Sequence, residues 1–582
     1  MLERARDLTE QVIGQIQEAG RRRTAEVILE LDLTEPLIEG VPQDPLGAVL
    51  ARRRTALEAV VEGLRRAGRD PRVRALVVKL GGPRSVLSPA RAQELRAAVS
   101  GFRGEGKLTV AWAETFGELG QGTVPYYLAT AFDEVWLQPS GGVGITGVAA
   151  ELPFLRGALD KAGVTVEVSR RHEYKNAADM FTEQGFSAAH REATERLVES
   201  LMEQLVGGIA ADRGLEVAGV RALFDRAPLF ATEALEAGLV DRLGYRDEVY
   251  DAVRDRVGTD ALLQYVGRYS RSGGSRLAEA SRRLAGGNRE ALALVHVTGS
   301  IHLGRSRRQP LGRQSAGSDT VAAALRSAAK APEVKAVVLR VASPGGSYVA
   351  SDAIWRQVAL TRQAGTPVVV SMGDVAASGG YFVAMGADVI VAEPATITGS
   401  IGVLSGKPVI ADLLDRLGVA HDRVAGARHG LMSSPFERFT DDEWERLDAW
   451  LDRIYDDFVA KVAEGRGLAA DGVHDVARGR VWSGADAQER GLVDELGGLA
   501  TAVEVAKERA GLPPSAEPDL LVHPRKPLVA RLRPALSSED AAAADGQVRL
   551  DAWGAFSELA AFLGLPAHGP LTLVGGPDVP AR

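Results

Sequence analysis

The sequence predicts an α/β protein that contains two copies of one domain. Short β-branched runs alternate with longer helical runs, a pattern typical of mostly parallel sheets covered by helices. Similar stretches also recur in the same order in the two halves of the chain. The 582 residues are 45% hydrophobic and 25% charged, which is an ordinary balance for a globular protein. We therefore predict a tandem duplication of an α/β domain.

Four pairs of stretches carry the repeat. Each pair combines a buried strand, or a strand with its neighbouring helix, from the first half with its counterpart in the second half. In chain order they are "AEVILELDL" (25–33) with "ALALVHVTG" (291–299), "DPRVRALVVKL" (70–80) with "APEVKAVVLRV" (331–341), "YYLATAFDEVWLQP" (126–139) with "YFVAMGADVIVAEP" (381–394), and "ALEAGLVDRLG" (234–244) with "AQERGLVDELG" (487–497). The shared order indicates duplication rather than chance.

Five segments follow from this pattern. Residues 1–24 place apolar side chains along one helical face and predict an amphipathic helix, while 25–269 form the first repeat. A Gly/Ser/Arg-rich stretch, 270–290, is the predicted linker, and 291–512 form the second repeat. Residues 513–582 are rich in Pro and Ala, and we expect a tail of uncertain order.

Composition excludes several classes of function. The net charge of −8 gives no sign of a nucleic-acid surface, and the absence of cysteine excludes disulfides and thiolate metal sites. The nine histidines lack ligand spacing, so we expect neither a metal nor a cofactor. No apolar run reaches the roughly 18 residues that span a bilayer. We expect a cytoplasmic protein, or one peripheral to the cytoplasmic membrane. The N-terminal helix could lie on a membrane surface, but the pattern favours a helix that packs on its own domain or on a partner subunit.

Ser378 lies in a stretch of small residues, "AASGG", directly before an apolar helical run. A serine at such a junction is either a helix N-cap or a nucleophile beside backbone N–H groups that stabilise an oxyanion. The two copies align without gaps here, with a constant offset of 255 residues, and the partner of Ser378 is Thr123 in "GQGTVPYY". Thr123 could cap a helix as well, but the first copy lacks the Gly-Gly flank.

Lys175 shows the opposite distribution. It lies in "EYKNAADMF" of the first copy, and the same offset places Gly430 opposite it. One copy therefore has the serine without the lysine, and the other has the lysine without the serine. An enzyme that divided one site between its halves has this pattern, whereas the simpler alternative is a solvated surface lysine.

Two further turns of the second copy carry candidate residues. "SPGG" (343–346) ends a buried strand, and its glycines allow backbone N–H groups to approach a ligand closely. Ser400 follows a short strand in "TGSIGV", where the first copy has Ile145. Ordinary strand-to-helix turns and turn serines would also explain both.

Together, "SPGG", "AASGGY", "TGSIGV", "WSGADAQERGLVD" and "EYKNAADMF" resemble the signal peptide peptidase A family in its long, tandem form. The resemblance covers most of residues 25–512. It implies the ββα spiral of the Clp-protease/crotonase superfamily. It also implies a serine endopeptidase that degrades signal peptides and other short apolar peptides, and a homotetramer. Long forms begin with a transmembrane anchor, and no such segment is visible in this sequence.

The resemblance further implies residue roles. Ser378 would be the nucleophile, Lys175 the general base and Ser400 the residue that orients the lysine, while the N–H groups of Gly346 and Gly379 would form the oxyanion hole. A lysine has an ordinary pKa of about 10.4 and is protonated at pH 7, so it must be buried in apolar surroundings to act as a base.

Two alternative functions belong to different classes. A crotonase-like acyl-CoA enzyme would use carboxylates, for which Asp352 and Asp374 are the nearest candidates. A non-catalytic scaffold that binds membrane proteins would explain the degenerate first copy. Within the peptidase class, a Ser-His-Asp triad has His429 as its best candidate histidine, with His172 and Glu173 next.

Overall fold

The computed structural model describes residues 25–40, 55–82, 87–118, 120–272, 290–308, 314–524 and 547–548. The predicted helix 1–24 lies outside these residues, as do most of the linker and most of the tail beyond 524. The chain divides into two compact units: Met1–Val148 with Met202–Asn288 form unit 1, and Ala149–Leu201 with Arg289–Arg582 form unit 2.

Unit 1 is built on a six-stranded sheet in which all neighbouring strands are parallel. Its strands, in spatial order, are Arg242–Leu243, Glu134–Leu137, Leu108–Ala113, Val73–Leu80, Val27–Asp32 and Leu262–Tyr265. Its helices are Leu57–Gly68, Pro89–Gly104, Thr123–Ala129, Val217–Arg226, Ala231–Glu236, Arg246–Val257 and Val266–Ser272. Gly142–Val143 and Leu229–Phe230 form a small antiparallel ladder.

Unit 2 repeats this sheet strand by strand. The corresponding strands, in the same spatial order, are Glu495–Leu496, Val389–Ala392, Val368–Ala377, Val334–Ser343, Ala291–Thr298 and Asp519–His523. They too are parallel, which confirms the predicted α/β class and its duplication. The last strand lies beyond residue 512, so the sheet continues past the predicted end of the second repeat.

Further elements complete unit 2. Ile397–Gly399 lies parallel beside Val368–Ala377, and Val481–Ser483 lies antiparallel beside Ile397–Gly399. Shorter strands are Thr165–Arg170, Leu404–Val409, Ser300–His302, Arg307–Arg308, Gln314–Gly317 and Gln547–Val548. Its helices are Arg156–Ala162, Asp179–Thr182, Ser318–Lys330, Tyr348–Gln363, Gly379–Ala384, Ala411–Arg416, Asp441–Arg466, Ala470–Val476, Gly484–Glu489 and Leu499–Arg509, and the long helix Ala188–Arg213 is divided between the units at Met202.

The central strands of both units are apolar on both faces. Val73–Leu80 and Val334–Ser343 are buried along almost their whole length. Parallel sheets covered by helices on both sides require such continuous apolar runs, whereas a strand with one solvated face would alternate. This is why the sequence pattern predicts these strands well.

The two units do not coincide with the two sequence repeats. Residues 149–201 lie within the first predicted repeat, 25–269, but they pack as part of unit 2. Strand Thr165–Arg170 pairs antiparallel with Leu404–Val409, from Thr165 opposite Val409 to Arg170 opposite Leu404. Lys175 of the first repeat therefore belongs to the same compact unit as Ser378.

Candidate active site

Ser378 and Ser400 follow neighbouring strands at the same edge of the unit 2 sheet. Ala377 pairs with Gly399 across two parallel strands, and the backbone N–H of Ser378 donates to the Gly399 carbonyl at 2.8 Å. The residues that come next, Ser378 and Ser400, are therefore side by side. The carboxyl edge of a parallel sheet is where α/β proteins commonly bind ligands.

The backbone of Ser378 has an unusual conformation. Its φ is 55° and its ψ is −119°, in a region that favours glycine and costs other residues on the order of 1–3 kcal/mol. Ser378 precedes helix Gly379–Ala384, yet its side chain makes no capping hydrogen bond. The helix-cap explanation therefore does not account for its hydroxyl.

Lys175 reaches the site from the turn after strand Thr165–Arg170. The ladder with Leu404–Val409 continues one step further, where the Arg171 N–H donates to the Val403 carbonyl at 2.9 Å. This fixes the turn that carries Lys175. The lysine is only 6% exposed, so the surface-lysine explanation is wrong.

Nζ of Lys175 lies 3.0 Å from Oγ of Ser378. It also lies 2.8 Å from the carbonyl oxygen of Ser400 and 3.0 Å from the Ser400 Oγ. Among the described residues, no carboxylate forms an ion pair with Lys175. Burial without a counter-charge disfavours the ammonium form and lowers the pKa of Lys175 to about 7.

The "SPGG" turn lies beside the serine. Strand Val334–Ser343 ends there, and Gly345 and Gly346 adopt φ values of 102° and 150°. A methyl group at Gly345 would lie 2.6 Å from the Gly379 nitrogen, and one at Gly379 would lie 3.1 Å from the Gly346 nitrogen. Within the described part of the chain, neither the Gly346 nor the Gly379 N–H has a hydrogen-bond acceptor.

A cavity of about 420 Å³ opens in front of these groups. Its wall is mainly apolar and is interrupted by a few polar side chains. The lining residues include Leu152, Phe154, Met180, Tyr348, Val375, Phe382, Leu404, Ile454 and Phe458, together with His190, Lys175, Ser378 and Ser400. The shape and lining suit an extended apolar segment.

The other candidate residues do not join the site. His429 contacts Asp442 and Arg446 and is not part of the cavity wall. His172 packs against Tyr455 and His474. Asp352 forms an ion pair with Lys461 at 2.6 Å, and neither Asp352 nor Asp374 is among the described residues that line the cavity.

The sequence analysis missed His190, which lines the cavity. A lone histidine near the start of a long helix gives no spacing signal.

The position of the first repeat that corresponds to Ser378 differs as well. In unit 1 the Thr123 hydroxyl is bound to the backbone of Gly147, 3.0 Å from its nitrogen and 3.2 Å from its oxygen.

Comparison with known proteins identifies the family. Peptidase family S49 matches residues 102–260 and 360–513, one segment in each repeat. The chain is 31% identical over 465 residues to "Serine protease SPPA, chloroplastic" of Arabidopsis thaliana, a match that covers 79% of this chain and 66% of that protein. It is 31% identical over 498 residues to "Protease 4" of Salmonella typhi, a match that covers 84% and 77% of the two chains.

Among solved structures, a ClpP1 mutant from Listeria monocytogenes aligns over 38% of this chain and 99% of its own, with 15% identity and a TM-score of 0.22. The two family segments agree with the duplicated sheet. The chain therefore belongs to peptidase family S49 and is a serine peptidase.

Proposed function

We propose that Ser378 is the nucleophile and Lys175 the general base of this peptidase. The observation that carries the proposal is the 3.0 Å contact between Nζ of Lys175 and Oγ of Ser378, made by a buried lysine with a pKa of about 7. A neutral amine has one lone pair and two N–H bonds. With the N–H bonds directed at the two oxygens of Ser400, the lone pair points at the Ser378 hydroxyl.

The reaction follows from this arrangement. Lys175 takes the hydroxyl proton as Oγ of Ser378 attacks the peptide carbonyl, and the Gly346 and Gly379 N–H groups stabilise the resulting oxyanion. The ammonium then protonates the leaving amine, which leaves an acyl-enzyme on Ser378. Neutral Lys175 next activates a water molecule that releases the acyl product. The role of Ser400 is to orient the lysine.

The substrates that fit are signal peptides and other short apolar peptides. The apolar wall of the cavity would bury such side chains, and its volume of about 420 Å³ suits a short extended segment. The resemblance of the motifs to the signal peptide peptidase A family supports the same class. A scaffold without activity would not require a buried lysine with a lowered pKa beside a serine with a strained backbone.

We also propose that the chain forms a homotetramer and that it is cytoplasmic or peripheral at the cytoplasmic membrane. The tetramer rests on the family resemblance, and the location rests on the amphipathic pattern of residues 1–24. Among the described residues, no helix is long and apolar enough to cross a membrane. Light scattering should give the mass of four chains, and carbonate should release any membrane-bound protein without detergent.

Turnover of an apolar fluorogenic peptide tests the enzymatic proposal. Ser378→Ala, Lys175→Ala and Lys175→Arg should each lower kcat/KM by about a thousandfold or more. Arginine is the sharpest variant because it keeps the charge and the donors but never becomes neutral. Lys161→Ala, at an exposed lysine of unit 2, is the matched control and should leave the rate unchanged. Substantial activity in Lys175→Arg would overturn the assignment of the base.

A further inference from the structure

His190 is a polar group in a largely apolar wall. It lies in the first turn of helix Ala188–Arg213, where its backbone N–H donates to Oγ of Ser187 at 3.2 Å. Its ring packs edge-to-face against Phe186 at 4.7 Å and Phe154 at 6.4 Å between ring centroids. The side chain is 9% exposed, and it lines the same cavity as Ser378.

A buried carboxylate holds this ring in one orientation. Oδ2 of Asp179 lies 3.1 Å from Nδ1 of His190, and Asp179 is fully buried. Because a carboxylate only accepts hydrogen bonds, Nδ1 must carry a hydrogen. The other oxygen of Asp179 accepts from Arg170. Arg170 thus places a positive charge beside the buried carboxylate.

The second ring nitrogen remains available. Nε2 of His190 has no hydrogen-bond partner among the described residues, and this nitrogen is accessible to solvent. Because His190 lines the cavity and Nε2 is its open ring nitrogen, we infer that Nε2 faces the space that a substrate would fill. In the neutral tautomer that carries its hydrogen on Nδ1, Nε2 presents a lone pair and accepts a hydrogen bond.

We propose that His190, fixed by Asp179 and Arg170, is a specificity residue that accepts a hydrogen bond from a hydroxyl-bearing substrate side chain. This inference rests on the proposed function, because it concerns substrates of the Ser378 site. A largely apolar cavity with a fixed acceptor at His190 would bind segments that are mostly apolar but carry a serine, threonine or tyrosine at one position. A purely apolar side chain there would leave Nε2 without a partner.

Pairs of peptides test the proposed hydrogen bond. The two peptides of a pair carry threonine or valine at one position near the scissile bond and are otherwise identical. The two side chains have nearly the same shape, so their kcat/KM ratio isolates the hydroxyl. We expect the wild type to prefer threonine at one position by about threefold to tenfold, the range expected for one net hydrogen bond. In His190→Leu the ratio should fall to about one at that position, and His190→Gln, which keeps an acceptor, should restore part of it.

Phe154→Leu is the matched control, because it reshapes the wall beside His190 without removing a polar atom. The threonine preference should survive in it. An unchanged ratio in His190→Leu, a preference lost equally in Phe154→Leu, or the absence of any threonine preference in the wild type would each overturn the inference. So would a preference for aspartate over asparagine that depends on His190, because it would require a charged ring that donates.

A measurement on the wild type covers the case in which His190→Leu does not fold. In protein with labelled histidine nitrogen, a threonine-containing peptide boronate should shift the Nε2 resonance of His190, and its valine counterpart should not. Equal shifts would overturn the inference. Failure of the proposed function is distinct: the wild type would then cleave neither peptide, or Ser378→Ala would cleave both.

Discussion

Gly479 packs directly against Lys175. A methyl group at position 479 would lie 2.5 Å from both the Cβ and the backbone nitrogen of Lys175, and the glycine has a φ of 85°. The neighbouring Arg480 carbonyl accepts the Ser400 N–H at 2.7 Å. One short turn thus supports both the lysine and the serine that contacts its amine.

We predict that Gly479→Ala displaces Lys175 and lowers kcat/KM by about a hundredfold, because small displacements of catalytic groups are costly. Gly472→Ala is the matched control. Apart from its chain neighbours and the backbone of its own helix, no atom of the described residues lies within 4 Å of the added methyl group, and its position in helix Ala470–Val476 favours alanine. Peptide hydrolysis by both variants checks this, and wild-type activity in Gly479→Ala would show that the contact does not position Lys175.

The strained backbone of Ser378 predicts a gain in stability when the site is destroyed. Ser378→Gly should be inactive and should raise the free energy of unfolding by roughly 1 kcal/mol, since glycine accommodates this conformation. Ser378→Ala should be inactive without that gain. Denaturant unfolding of the three proteins measures the difference, and equal stability of the glycine and alanine variants would count against strain at Ser378.

The pH dependence of the reaction follows from Lys175. Burial lowers its pKa to about 7, and only the neutral amine accepts the serine proton. The value of kcat/KM should therefore fall about tenfold per unit as the pH drops below 7, and it should be nearly level above 8. A pH profile of kcat/KM with an apolar peptide substrate checks this. A rise of kcat/KM only near the ordinary lysine pKa of about 10.4 would contradict it.

Ser400 contacts the Lys175 amine through two oxygens, its backbone carbonyl and its hydroxyl. A substitution removes only the hydroxyl. Its φ of 51° means that alanine retains backbone strain, whereas glycine does not. We predict that Ser400→Gly and Ser400→Ala both lower kcat/KM by about tenfold to a hundredfold, as expected for one hydrogen bond to a charged intermediate. Because alanine keeps the backbone constraint of the wild-type serine, a loss in glycine alone would assign the effect to the backbone instead of the hydroxyl.

Much of this arrangement is predictable from the sequence. Continuous apolar runs such as 331–341 predict parallel strands, and the exclusive placement of Ser378 and Lys175 in different repeats predicts that the two would meet. Repeat similarity does not reveal packing, so the membership of 149–201 in unit 2 could not be foreseen. Strand Asp519–His523 was missed because it lies in a Pro- and Ala-rich stretch without alternation.

His190 illustrates a different limit. Its position in the cavity depends on the buried carboxylate of Asp179, which comes from another helix. No spacing in the sequence connects the two, since their contact arises from tertiary packing. Single polar residues in an apolar wall are therefore found from the structure alone.

The central claim is that one chain holds one serine–lysine site built from Ser378 and Lys175. Titration with a fluorophosphonate, followed by intact mass and peptide mapping, tests it most directly. We predict saturation at about one adduct per chain, located on Ser378, absent in Ser378→Ala and strongly slowed in Lys175→Arg. An adduct on another residue, or labelling of Ser378 at the wild-type rate in Lys175→Arg, would contradict the account.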